Sequence, residues 1–299
     1  MPQKKVSICC AWFNRADMLI ETLDSIFDQS YCNIEVVIVN DGSTDPRVKV
    51  ILDAYKNDKL KVVHQENQGF VIAIKRAISI STGEYIAIHG AGDYSYPDRI
   101  SNQAKVLDEN PSVGIVGCYY EKHNLSSNQN EIHKPKGSEP IAVADIPNIQ
   151  LSQGELMYRR SAYIESGGYR DFYNVGQGTD LWLRILEKYS LYIVPNILYR
   201  QYIFSDGVSK DFAKLIHRRL LLGIMYDIRV QKYQTGIDVI EKYNNHFLMY
   251  LNVKKHYSKQ LLVSYLYSIF ANKKDFEDSI YKSLISQAEF KYKLIACIY

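Results

Sequence analysis

A strand that ends in an acidic, glycine-containing turn is the feature that most restricts the fold of this chain. Residues 35–40 read Glu-Val-Val-Ile-Val-Asn, and Asp41-Gly-Ser-Thr-Asp45 follow directly. Such an apolar run is typical of a strand buried in a parallel sheet, and open sheets of this kind bind ligands at the carboxyl ends of their strands. The run therefore predicts that Asp41 lies at a ligand-binding edge. The alternative is a turn that caps the next helix, since Asp and Ser are favoured helix N-caps.

Strands and helices alternate through the first half of the chain. The strand-like runs are Val6–Ala11, 35–40, Lys61–His64 and Glu84–His89, and the residues between them favour helices. This alternation predicts an α/β fold with a mostly parallel sheet flanked by helices. Beyond residue 206 the pattern is almost entirely helical, which predicts an accessory helical region.

Four further segments follow the predicted parallel strands. Strands are predicted over Val113–Tyr119 and Glu155–Arg159, and a helix over Asp180–Tyr189. Residues 124–137 are polar and lack a hydrophobic period, so they predict a mobile loop.

Composition and charge exclude some classes of partner. The chain carries 36 Lys and Arg against 33 Asp and Glu, a formal net charge of +3, and no block of like charges indicates nucleic-acid binding. Its 5 cysteines show no disulfide or metal-binding spacing, and no signal sequence precedes Val6, which predicts a reduced, cytoplasmic compartment. No apolar run reaches the roughly 20 residues that span a bilayer, and Leu261–Ala271 is predicted to be a core helix. The 25 tyrosines leave open a peripheral contact with the inner face of the plasma membrane.

Short motifs in a fixed order give the chain a family resemblance. They include Val6-Ser-Ile8, Asp41-Gly-Ser-Thr-Asp45, Gly83-Glu-Tyr-Ile86, Pro97-Asp-Arg-Ile100 and Asp180-Leu-Trp-Leu-Arg184. Across roughly the first two thirds of the chain these motifs resemble glycosyltransferase family 2. The resemblance implies the GT-A fold, a Rossmann-like and mostly parallel sheet flanked by helices, here with a C-terminal helical region.

The resemblance also implies a domain organisation and an activity. We expect a catalytic domain over 1–205, with a nucleotide-sugar half over 1–120 and an acceptor half over 121–205, and a helical accessory region over 206–299. The implied reaction transfers a sugar, with inversion, from a nucleotide-diphosphate sugar, UDP being favoured, to a glycan or lipid-linked acceptor in bacterial surface-polysaccharide biosynthesis. One alternative is a catalytically inactive relative that binds nucleotide sugar or a partner. Another is a nucleotidyltransferase, whose glycine-rich, basic phosphate loop is missing at 11–15.

Candidate donor-binding residues follow the first four strands. For Asp41 the resemblance implies a hydrogen bond from a uracil-like imide N–H. The turn 11–15 beside it supplies an aromatic ring and an amide that suit a base-binding wall, with core packing of Trp12 and Phe13 as the alternative. After the third strand, backbone N–H groups and an ammonium are predicted to face phosphate oxygens. The predicted donor-binding residues are Ala11, Phe13, Asn14, Arg15, Asp41, Asn67, Gly69, Lys75, Gly92 and Asp93.

The turn after the fourth strand departs from the family pattern. Relatives carry an Asp-x-Asp triplet there, and alignment on Pro97 puts Gly90 and Gly92 at the two main acidic positions, leaving only Asp93. Mg²⁺ or Mn²⁺ in such sites is held by one or two carboxylates together with phosphate oxygens. The sequence therefore predicts a metal that is weakly held, with Asp93 as its ligand, or dispensable. The alternative is that Asp93 caps the turn before Pro97.

A second departure concerns the catalytic base. Relatives show Glu-Asp-x-Asp-Leu-Trp-Leu-Arg, and the Asp of the first pair is the expected base, but ungapped alignment puts Gln177-Gly178 there. If the loop has lost two residues, Asp180 takes that position, and the sequence does not choose between the registers. Asp180 is the predicted base, in glycine-rich and accessible surroundings, oriented by Arg184 one turn later. Its alternative is a helix N-cap.

Acceptor-binding residues are predicted in the same region. Trp182 is predicted to line the acceptor pocket, because aromatic rings pack against sugar C–H groups, and core packing is its alternative. Glu155 is also predicted at the acceptor, and it and Asp171 are reserve candidates for the base. Acceptor choice is expected to depend on 124–137 and the helical tail, because loops carry specificity on such scaffolds.

Overall fold

The computed structural model of the chain describes residues 3–136, 151–173, 176–204, 212–243 and 262–264. Contacts divide the chain into two compact units, Met1–Ser205 and Asp206–Tyr299. The assignment of donor and acceptor roles to the two halves of the first unit stays a prediction. The predicted core helix near residue 265 lies almost entirely outside the described residues.

One sheet organises the first unit. Its described strands are β1 (Val6–Trp12), β2 (Ile34–Asp41), β3 (Leu60–Gln65), β4 (Tyr85–His89), β5 (Tyr94–Ser95), β6 (Val113–Asn124), β7 (Gln129–His133), β8 (Met157–Arg159) and β9 (Ser190–Ile203). Their order is β3-β2-β1-β4-β8-β6-β9-β5, and β7 pairs with β6 off this path. Strands β3, β2, β1 and β4 are parallel, so the predicted α/β sheet is confirmed. Strand β8 is antiparallel to β4 and β6, whereas β9 is parallel to β6.

Helices cover the sheet and form the described part of the second unit. In the first unit they are α1 (Leu19–Phe27), α2 (Pro46–Ala54), α3 (Phe70–Ile80), α4 (Arg99–Glu109), α5 (Arg160–Glu165) and α6 (Gln177–Ile185). The second unit contributes α7 (Phe212–Thr235) and α8 (Val239–Tyr243). Within the described residues, no helix has both the length and the apolar character that crossing a bilayer requires.

Both faces of the central strands are buried, which explains their uninterrupted apolar runs. Along β2, Val36 and Ile38 pack into one hydrophobic cluster, whereas Val37 and Val39 pack into a second cluster on the opposite face. Successive strand side chains point to opposite faces, so a strand covered on both sides needs apolar residues at every position. The sheet therefore has two core layers, one on each face.

The prediction of a mobile loop over 124–137 is wrong for its first ten residues. Strand β6 continues to Asn124, a short turn follows, and β7 returns antiparallel to it, with Tyr120 opposite His133 and Asn124 opposite Gln129. Four of the five residues of β7 are exposed. A strand without a buried face has no hydrophobic period, so the sequence pattern that indicates strands is absent here.

Candidate functional site

The carboxyl ends of four parallel strands meet at one edge of the sheet. Trp12 pairs with Asn40, Asp41 pairs with Gln65, and Cys10 pairs with His89. Strand β8 runs in the opposite direction beside β4, so its beginning lies at the same edge. Turns and loops that leave these strand ends therefore surround a common surface, as expected for ligand sites in open α/β sheets.

Asp41 organises the turn between β3 and α3. Its Oδ1 accepts hydrogen bonds from Gln65 Nε2 at 2.7 Å and from the backbone N of Gln68 at 2.9 Å, and its Oδ2 accepts one from the backbone N of Gly69 at 2.9 Å. A carboxylate offers about four lone-pair sites, so these three donors leave one on Oδ2. The residue of this turn that caps the next helix, α2, is Asp45, whose side chain accepts the backbone N–H of Arg47.

Two strand-end turns are locked together beside Asp41. Asn14 Oδ1 accepts the backbone N–H groups of Thr44 and Asp45, at 2.9 and 3.1 Å, and the backbone N of Asn14 donates to Ser43 Oγ at 2.8 Å. Asn14 and Arg15 have φ angles of 57° and 62°. Non-glycine residues held in the left-handed region store strain and are concentrated at binding sites. The turn 11–15 is therefore held in a fixed conformation before any ligand binds.

An aromatic and cationic surface lies next to this turn. The Phe13 side chain is 43% exposed, whereas its neighbour Trp12 is fully buried. The guanidinium of Arg15 lies 4.0 Å from the ring centroid of Phe204. A Cβ added to Gly92 would lie 3.1 Å from the same Phe204 ring, so glycine there lets the turn after β4 approach it. The exposed Phe13 ring is free to contact a planar base.

The groups predicted to face phosphate are engaged in other contacts. The backbone N–H of Gly69 is hydrogen-bonded to Asp41, although Asn67 and Gly69 are both exposed. The Lys75 ammonium forms an ion pair with Asp171 at 2.5 Å. The structure therefore does not bring Lys75 and the Gly69 N–H together around an open anion site.

Asp93 is buried, and its carboxylate turns toward β9. Its Oδ2 accepts a hydrogen bond from the Tyr199 hydroxyl, and its Oδ1 accepts the backbone N–H of Tyr202. Burial raises the pKa of Asp93 to about 6, against the lowering effect of these two donors. Each oxygen of the carboxylate predicted to hold a metal thus accepts one hydrogen bond from the protein itself.

Asp180 and Arg184 form a buried ion pair within α6. Arg184 Nε and Nη2 lie 3.0 and 2.7 Å from Asp180 Oδ2, and Arg170 Nη1 lies 3.4 Å from Oδ1. The expectation of accessible surroundings is wrong, because Asp180 is only 1% exposed. Arg184 also donates to the backbone oxygens of Ser166 and Gly168. These contacts give the pair the geometry of a clamp between α6 and the turn after α5.

In the ungapped register, Gly178 stands where the resemblance implies the catalytic carboxylate, and Trp182 packs beside it. A Cβ added to Gly178 would lie 2.8 Å from Trp182 Cζ2 and 3.3 Å from Gln153 Nε2. Trp182 belongs to a core cluster and donates its indole N–H to the Tyr158 hydroxyl at 2.8 Å. The structure thus places Trp182 in the core, the alternative role, instead of on the wall of an acceptor pocket.

Glu155 lies in a buried polar cluster below the strand edge. Its Oε1 accepts the backbone N–H of Ser152 at 2.6 Å, and its backbone oxygen accepts Gln103 Nε2 at 2.6 Å. Its Oε2, together with His89 Nε2 and Arg99 Nε, is buried without a hydrogen-bond partner among the described residues. Burial raises the pKa of Glu155 to about 8, so the side chain is neutral at pH 7. A protonated, fully buried carboxyl is unsuited to be a general base.

Sequence reasoning missed Tyr199, which connects three parts of the edge. Its hydroxyl donates to Asp93 and accepts the backbone N–H of Gly90, and a Cβ on Gly154 would collide with it. The aliphatic and aromatic run Ile197-Leu-Tyr199 is the signal for its strand, β9. The sequence contains no signal for the partners of its hydroxyl, since Asp93 lies 106 positions away along the chain.

Comparison with known proteins decides the family. The model for "Glycosyl transferase family 2" matches residues 7–167, which is more than half of the chain. The chain belongs to glycosyltransferase family 2. An uncharacterized glycosyltransferase of Rickettsia felis is 30% identical over 70% of this chain, which spans 36% of that relative's length. The putative glycosyltransferase EpsE of Bacillus subtilis is 28% identical over 76% of this chain and 87% of its own length.

Solved structures share the GT-A fold of this family 2 chain. S. aureus TarS 1–349, in complex with UDP-GlcNAc, superimposes with a TM-score of 0.61 at 15% identity, over 96% of this chain and 93% of that one. The mannosyltransferase PcManGT of Pyrobaculum calidifontis, in complex with GDP-Man and Mn²⁺, gives a TM-score of 0.58 at 19% identity, over 99% and 84%. The predicted GT-A architecture is confirmed.

Proposed function

We propose that this family 2 chain transfers a sugar from a nucleotide-diphosphate sugar, with UDP as the favoured nucleotide, to a glycan or lipid-linked acceptor. The lone pair left on Asp41 Oδ2 carries the proposal, since it suits one imide N–H of a uracil ring. The exposed Phe13 ring nearby suits contact with the base. The same proposal includes inversion by a single displacement, a setting in bacterial surface-polysaccharide biosynthesis and contact with the inner face of the membrane.

We propose a structural role for the ion pair of Asp180 and Arg184. Both oxygens of the buried Asp180 carboxylate already accept guanidinium donors, Oδ2 from Arg184 and Oδ1 from Arg170. We therefore assign the pair to holding the turn at Ser166 and Gly168 against α6. Asp180 as the general base remains the competing assignment, and an Asp180→Asn variant with undiminished transfer removes it.

A thermal-shift screen tests the donor site. We expect saturating UDP to raise the melting temperature by roughly 5–10 °C, because a ligand at about a hundredfold its Kd stabilises a fold by about 2.7 kcal/mol. CDP is the matched control, since cytosine lacks the imide hydrogen that Asp41 is proposed to accept, and its shift is expected to be about half as large or less. Release of UDP from UDP-sugars with an added glycan measures transfer. Equal shifts with UDP and CDP would contradict the role of Asp41.

Removal of the Asp41 carboxylate is expected to weaken UDP binding by about 10- to 100-fold. A hydrogen bond to a charged group is worth about 1.5–3 kcal/mol, and asparagine keeps only one of the two oxygens that accept the Gln68 and Gly69 N–H groups. Isothermal titration calorimetry with Asp41→Asn, which keeps the side-chain volume, measures the change. Asp58→Ala, at an exposed carboxylate, is the control and is expected to bind UDP as the parent does. Parental affinity in Asp41→Asn would refute this base contact.

A catalytically silent relative that binds nucleotide sugar is the second candidate function. The observation that favours it is that position 178, the base position in the ungapped register, is a glycine beside which Trp182 fills the space. In addition, the carboxylates of Asp93 and Asp180 both have protein partners. Donor binding without any sugar transfer or hydrolysis, across a panel of glycan and lipid-linked acceptors, would favour this second function.

A further inference from the structure

Asp93 is held by groups that lie far from it in the sequence. The Tyr199 hydroxyl donates to Asp93 Oδ2 at 2.6 Å, and the backbone N of Tyr202 donates to Oδ1 at 3.0 Å. The backbone oxygen of Asp93 accepts the Thr22 hydroxyl at 2.8 Å. The residue thus ties the turn after β4 to β9 on one side and to α1 on the other.

Glycine at position 90 and the inward carboxylate of Asp93 require each other. A Cβ added to Gly90 would collide with Asp93 Oδ2 and would lie 3.1 Å from the Tyr199 hydroxyl. The backbone N–H of Gly90 donates to that same hydroxyl at 2.9 Å. The space that an acidic side chain at position 90 needs is therefore occupied by the carboxylate of Asp93.

The residues at this turn do not fit a divalent cation of the kind that GT-A enzymes often use. A hard cation such as Mn²⁺ takes carboxylate oxygens together with substrate phosphates. Gly90 and Gly92 offer no side-chain ligand, and both oxygens of Asp93 accept hydrogen bonds from the protein. Across the described ranges, no cluster of three or more His, Cys, Asp or Glu residues is arranged to bind a metal.

We propose that this chain binds its donor nucleotide without a divalent cation, and that Asp93 is a structural residue that fastens the turn 90–93 to Tyr199. The proposal rests on the nucleotide site proposed above and concerns how that site is completed. It separates this chain from its structural neighbour PcManGT, whose complex with GDP-Man contains Mn²⁺.

Titration of UDP into the unmodified protein tests metal independence directly. We expect the Kd for UDP in EDTA and in Mn²⁺ to agree within about twofold, by isothermal titration calorimetry. Electron paramagnetic resonance of free Mn²⁺ gives a second readout. We expect the concentration of free Mn²⁺ to be the same in a solution of UDP with the protein as in a solution of UDP alone. A tenfold or greater loss of UDP affinity in EDTA would overturn the proposal and leave the nucleotide site intact. Absence of UDP, GDP and dTDP binding in both solutions would overturn the proposed function itself.

A double-mutant cycle tests the structural role of Asp93. We expect Asp93→Asn and Tyr199→Phe each to lower the melting temperature by about 3–6 °C. The double variant is expected to melt within about 2 °C of the less stable single variant, because both substitutions remove the same contact. UDP affinity in each variant is expected to be the same in EDTA and in Mn²⁺. If Asp93 instead ligated a metal, Asp93→Asn would weaken UDP binding only in Mn²⁺, and Tyr199→Phe would leave the binding unchanged.

Discussion

Replacement of Arg184 by alanine is expected to destabilise the protein by about 3–5 kcal/mol. The substitution leaves the Asp180 carboxylate buried with Arg170 alone, at 3.4 Å, and removes the donors to the backbone oxygens of Ser166 and Gly168. A buried charge without its partner is much more costly than the pair itself is favourable. Urea unfolding followed by far-UV circular dichroism measures the change in the free energy of unfolding.

Arg47→Ala is the matched control for this experiment. Arg47 also forms ion pairs, with Asp17 and Asp45, but its side chain is 59% exposed. Exposed pairs contribute about 0–1 kcal/mol, because solvent screens them. Equal costs for Arg184→Ala and Arg47→Ala would contradict the buried clamp.

Glu155→Gln is expected to stabilise the protein in a pH-dependent way. Burial raises the folded-state pKa of Glu155 from its ordinary 4.5 to about 8. The folded protein therefore keeps a proton that the unfolded chain releases, and the stability of the parent falls as the pH rises from about 4.5 to about 8. Glutamine resembles the protonated side chain and does not titrate. We expect the two proteins to have similar stability at pH 5 and the variant to be more stable by roughly 2–4 kcal/mol at pH 8.5.

Urea unfolding at pH 5, 7 and 8.5 checks this expectation. Glu66→Gln is the control, since Glu66 is exposed and its substitution is expected to shift stability equally at each pH. A difference between Glu155→Gln and the parent that stays constant from pH 5 to pH 8.5 would show that Glu155 is ionised in the folded protein at neutral pH.

The parallel half of the fold was predictable because its signal is local. Strands β1 to β4 are apolar runs, and α1 carries Leu19, Leu23 and Ile26 at helical spacing, each fully buried. The predicted end of β2 correctly put Asp41 at the carboxyl edge of the sheet. The extension of β6 to Asn124 and its exposed partner β7 escaped prediction, because an exposed strand carries no hydrophobic period and strand pairing is a tertiary property.

The orientation of the acidic side chains was not predictable from the chain alone. Gly90 and Gly92, and in the ungapped register Gly178, stand where the family resemblance implies carboxylates, which indicated altered chemistry but not what fills the space. In the structure, Asp93 fills it at one turn and Trp182 at the other.

Sequence alone determined that this is a family 2 chain with a mostly parallel sheet, because hydrophobic period and short motifs depend on neighbouring residues. Only the tertiary structure decided that Asp93 faces Tyr199 and that Asp180 faces Arg170 and Arg184. The direction of a buried carboxylate depends on which donors surround it. Those donors come from segments that are brought together only when the chain folds.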